Sequence, residues 1–113
     1  MKYDALQIAV KRLNKVVDNP GGIGEPSEAN HSAESDIIRA VYERSRRLLD
    51  MGKAALAGRP PKIITRIVPD KEMRDLIESV GTFYIEKGLL EMQSAAQDVF
   101  ELLTQLVKRA DSS

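Results

Sequence analysis

The sequence predicts an all-α protein: three or four helices packed as an antiparallel bundle, with a long C-terminal helix or kinked helix pair and one short extended segment near 62–68. Three observations lead there. Hydrophobic residues make up 42% of the 113 residues while aromatics make up 4% and Trp is absent, so the core has to be built from Leu, Ile, Val, Ala and Met, as in packed helices. Apolar residues recur at steps of three and four along most of the chain, which is the period of one helix face. Gly and Pro gather at 20–26 and 58–61, where that period stops. A chain of this length is expected to form a single domain over 1–113 with one core and no covalent staples.

The first helix is expected over 2–18. Tyr3, Leu6, Val10, Leu13 and Val17 form one stripe, and Asn19-Pro20-Gly21-Gly22 ends it, because Pro cannot continue the hydrogen-bond ladder and Gly favours a terminating turn. Residues 19–33 carry no apolar period and are expected to be a flexible loop. A second helix over about 34–57 places Ile38, Val41, Ser45, Leu48, Gly52 and Ala55 on one stripe, flanked by Ile37, Leu49 and Leu56. Three small residues on that stripe invite a close neighbour. Gly58-Arg59-Pro60-Pro61 stops the helix.

Lys62 to Val68 is rich in β-branched residues. With no second strand in the chain to pair with, it is expected to be an extended linker, the alternative being a strand paired with its copy in a dimer. Asp70 is a candidate N-cap for a third helix with Met73, Ile77, Val80 and Tyr84 on its stripe. Leu89, Met92, Ala96, Val99, Leu103 and Leu106 form a further stripe. The two stripes join only with an extra residue at Gly88, so either Gly88 separates two helices or one kinked helix spans 70–109. That single helix would be about 60 Å long and would require self-association. Residues 110–113 are expected to fray.

The charges are balanced in number, 17 basic against 17 acidic, but sorted by position. Residues 39–66 hold eight basic side chains against Glu43 and Asp50, while 18–36 hold five acids and no base, and 67–103 hold eight acids and three bases. Helical spacing allows Arg39–Glu43, Glu43–Arg47, Arg46–Asp50 and Asp50–Lys53 to pair. Arg39, Arg46, Arg47, Lys53, Arg59, Lys62 and Arg66 are the candidate site for a polyanion or an acidic protein partner, since clustered cations are the footprint of phosphate contacts. The stripe Leu89, Met92, Ala96, Val99, Leu103 and Leu106 is the domain's own core or the seam of an oligomer.

Several chemistries find no residues here. Without Cys there is no disulfide, thiolate metal site or Cys nucleophile. His31 is the only histidine and reads as an exposed loop residue, because no second His or Cys stands by to complete a transition-metal set. Gly21-Gly22-Ile23-Gly24 lacks the strand and the G-K-[ST] or G-x-G-x-x-G context of a phosphate cradle. The helix carboxylates, among them Asp75 and Glu78, fall on polar faces, and the Glu-x-x-His of a di-iron bundle is absent. No catalytic constellation, metal site or cofactor is therefore expected. Asp4, Lys11 and Arg12 interrupt any signal-peptide core, and no apolar run reaches the roughly 18–20 residues of a membrane span. The expectation is a cytoplasmic, non-enzymatic helical interaction protein, an adaptor or accessory factor acting as a homo-oligomer. The alternative is an accessory protein that binds nucleic acid through 39–66.

Overall fold

The structure is a computed structural model that describes residues 3–18, 33–59, 70–80 and 83–112. Four helices account for almost all of them: α1 (Asp4–Asp18), α2 (Ala33–Leu56), α3 (Asp70–Val80) and α4 (Phe83–Ser112). No strand occurs among the described residues. Of the expected loop 19–33, residues 19–32 lie outside them, as does the 62–68 segment, while Ala33 begins α2.

Neighbouring contacts fix the directions. Arg12 of α1 meets Asp98 of α4, whereas Ala5 and Leu6 lie beside Leu106 and Arg109, so these two helices run antiparallel. Arg44 of α2 reaches Gln93 and Gln97, and Gly52, further along, abuts Val99. α2 and α4 therefore run in the same direction. α3 starts at Asp70 beside Gln93 and places Met73 and Ile77 with Leu89 and Met92, antiparallel to α4. Consecutive helices thus alternate, with the α2–α4 pair in the middle. Both α1 and α3 pack on that pair, and among the described residues their backbones do not come within 8 Å of each other.

Two clusters form the core. In the larger, Leu6, Val10, Leu13 and Val17 of α1 meet Leu48, Leu49 and Ala55 of α2 and Ala95, Ala96, Val99 and Leu103 of α4. In the smaller, Met73 and Ile77 of α3 meet Val41, Leu89 and Met92. Val16 and Tyr42 pack against both. Each fully buried aliphatic side chain here contributes about 1.5–3 kcal/mol. Ser45 lies in the α2 core stripe and donates its hydroxyl to the Val41 carbonyl at 2.8 Å, which removes the cost of burying it unbonded.

The ends of the elements follow local chemistry. At the end of α2 the Arg59 amide donates to the Ala54 carbonyl at 2.9 Å and the Gly58 amide to Ala55 at 3.0 Å, with Gly58 at φ 88°. This is the Schellman closure, and only glycine takes that backbone without strain.

Three expectations need correction. The division between the last two helices falls between Val80 and Phe83, and Gly88 sits inside α4. Tyr84 accordingly belongs to α4 and not to the α3 stripe. The mismatched stripes had a simple cause: the helix is interrupted, so the phase of α4 owes nothing to that of α3. An interior Gly88 costs about 1 kcal/mol relative to Ala, which the buried face of α4 outweighs. Helix α4 also continues to Ser112 where fraying was expected from residue 110. Its 30 residues give about 45 Å of helix, matching the molecule's longest dimension of 45 Å. Lastly, Tyr3 heads the α1 stripe in sequence but is 40% exposed, because the stripe leaves the core before the first turn.

Candidate interaction surfaces

Leu89, Met92, Ala96, Val99 and Leu103 are all fully buried by helices of their own chain, and Leu106 packs at the edge of the same cluster. From Leu89 to Leu103 the stripe is therefore core within one molecule, while Leu106 stays half-buried.

The basic block divides into three parts. Arg46, Arg47, Lys53 and Arg59 are exposed. Arg39 is half-buried and lies 3.4 Å from Asp36. Lys62 and Arg66 lie outside the described residues. The anticipated pairs of Arg46, Arg47 and Lys53 with Glu43 or Asp50 do not form; among the described residues no ion pair joins these three cations to an acid. An exposed pair gains little over hydration, and their side chains point into water instead. The α2 surface is therefore a solvated row of cations with Glu43 and Asp50 interspersed.

Arg44 behaves differently. It is 6% exposed, pulled inward because position 44 lies on the core side of α2 with Val41, Ser45 and Leu48. Its guanidinium donates to Gln93 Oε1 and Gln97 Oε1, both at 2.9 Å, and stands 5.9 Å from the Phe100 ring centroid. Gln93 donates onward to Asp70, and Gln97 to Glu101 at 3.4 Å. The cation thus meets two neutral acceptors, each of which hands on to a carboxylate. Burial lowers the Arg44 pKa from its ordinary value, and the negative charge of Asp70 opposes that shift. Its Nε has no acceptor among the described residues. The network ties α2, α4 and the start of α3 together, a structural role. The sequence counts Arg44 among the eight cations of 39–66 but assigns it no place in the candidate site. The spacing 41, 44, 48, a core rhythm, was the signal that it faces inward.

One further surface was not foreseen. Between α1 and α4 lies a shallow groove of about 400 Å³, open to solvent. Ala5, Ile8, Ala9 and Leu102 make its apolar floor, and Arg12, Asp98, Glu101 and Gln105 its rim. A smaller, more enclosed recess of about 150 Å³ extends it past Leu106 to Arg109. Ile8 is 70% exposed, the most exposed large hydrophobic among the described residues, beside Leu56 at 37% and Leu76 at 40%. Arg12 and Asp98 close one end through a 2.8 Å ion pair. Position 8 falls outside the Leu6–Val10–Leu13 stripe, which is why the periodic pattern did not single it out.

No group of three or more potential metal ligands occurs among the described residues, and His31 lies outside them. No helix of the described residues is long and apolar enough to cross a membrane. No family model, curated protein sequence or solved structure matches the chain.

Proposed function

We propose that this chain is a non-enzymatic helical interaction module, an adaptor or accessory protein that acts as a homo-oligomer. The observation that supports this reading most is the α1–α4 groove. Among the described residues the periodic stripes lie mostly in the core, yet Ile8 stands 70% exposed in an apolar floor rimmed by charge. That is the make-up of a protein contact, an apolar centre with a polar edge. The test is the mass in solution across a range of concentrations, together with the melting temperature. A homo-oligomer gives a mass and a melting point that rise with concentration; a fixed monomer mass and a concentration-independent melting point reject the reading.

A second reading is supported by the α2 surface, where Arg46, Arg47 and Lys53 are exposed and have no acid partner among the described residues. A polyanion such as a nucleic acid suits them. Its affinity would fall steeply with added salt and again in an Arg46→Ala/Arg47→Ala variant. Binding that ignores both changes rejects it.

A further inference from the structure

The charges around the α1–α4 groove follow a rule that selects its occupant. Along α4 they run from Asp98 and Glu101 to Arg109, and α1 adds Arg12. The α4 side of the rim is therefore acidic toward one end and basic at the other. Arg109 stands at the Ala5 end, and Arg12 meets Asp98 at the other end. Turning a second molecule over about a two-fold axis that lies in the plane of this face and across the helices sets Asp98 and Glu101 toward the copy's Arg109, and the reverse. The same operation lays the apolar strip of Ala5, Ile8 and Leu102 on its own copy. A partner of one sign would be attracted at one end of the α4 rim and repelled at the other.

We infer that the α1–α4 face is the two-fold contact of a homodimer, with Ile8 near the axis. This deepens the homo-oligomer reading and rests on it. A self-complementary patch is what an isologous interface requires. The face is about 22 Å long, the length of α1, and about 20 Å across two adjacent helices. Each partner then buries about 450 Å², at the low end of specific interfaces. The dimer exchanges with its monomer and is most populated at high protein concentration and low salt.

The experiment is multi-angle light scattering of the full chain from low to high concentration, with helix content recorded for each sample. The wild type should rise from 12.6 kDa toward twice that mass. Ile8→Arg should remain at the monomer mass with unchanged helix content. Glu101→Lys places a cation against the partner's basic end and should weaken the dimer about tenfold, by an amount that shrinks at high salt. Leu76→Arg on α3 should dimerise like the wild type. A dimer that both Ile8→Arg and Glu101→Lys leave intact, or one that Leu76→Arg disrupts instead, overturns this face while the homo-oligomer reading stands. A wild type that stays monomeric throughout removes both. Should Ile8→Arg lose helix content, Glu101→Lys decides alone.

Discussion

At Gly52 of α2, side chains of both α1 and α4 press on the helix. A Cβ built on it would lie 2.6 Å from Val10 Cγ2 and 3.3 Å from Val99 Cγ1. Both neighbours are buried, β-branched and stiff, so they give way poorly. Gly52→Ala gains about 1 kcal/mol of helix propensity but incurs an overpacking cost of about 1–3 kcal/mol. The net expectation is a loss of about 1 kcal/mol, read as a lower urea midpoint with an unchanged slope; a gain in stability would show that the helices can part. Arg44 offers a sharper contrast. Arg44→Ala leaves a void and strands the Gln93 and Gln97 acceptors, and should cost about 2–4 kcal/mol in the same measurement. Arg44→Met fills the space without the buried charge and should recover half or more of that loss. Equal costs for both would mean that the guanidinium's bonds, and not its volume, hold the three helices. Residue-scale legibility was uneven. Small size at position 52 was plain in the stripe, whereas the inward turn of Arg44 was written only in its spacing from Val41 and Leu48.

At the scale of elements, a helix was readable wherever one face was apolar from end to end. The α1 and α2 stripes, Leu6 to Val17 and Val41 to Ala55, form the core as expected. What could not be read was the joint before α4, because the phase mismatch of the two stripes points to Gly88, whereas the division depends on which partner each helix reaches. Ends closed by local bonds were clearer. The Gly58 closure of α2 predicts that Gly58→Ala loses about 1 kcal/mol even though no atom lies within 4 Å of the added Cβ, since the cost is the left-handed backbone itself. A thermal melt reads it, and an unchanged melting temperature would show that the turn re-forms differently. α3 is the least anchored element. It brings Met73 and Ile77 to the smaller cluster, while α1 sends five residues into the core. Amide hydrogen exchange should therefore find α3 opening at lower free energy than α1, and Ile77→Ala, expected to cost about 2–4 kcal/mol, should widen that gap. Equal protection in the two helices would contradict it.

For the whole molecule, the sequence's sorted charges became a surface of mixed sign. The acids of α4 face both Arg12, through Asp98, and the Arg44 network, through Glu101. Linear blocks could not show this, because wrapping four helices around one another interleaves segments far apart in the chain. For the same reason the α1–α4 groove was invisible: its two walls are some ninety positions apart, and only the fold makes them neighbours.

The parallel α2–α4 pair has a consequence for how the molecule comes into being. No short turn can join two helices that point the same way, and α3 with its flanking segments lies between them. Each of the two consecutive helix pairs, α1 with α2 and α3 with α4, is left with its widest apolar face uncovered until it meets the other. A chain cut between 59 and 60 should thus give two pieces that are largely unstructured apart and helical when mixed, with a rate of recovery that rises with concentration. The bond of the chain between them serves mainly to keep two complementary halves within reach of each other.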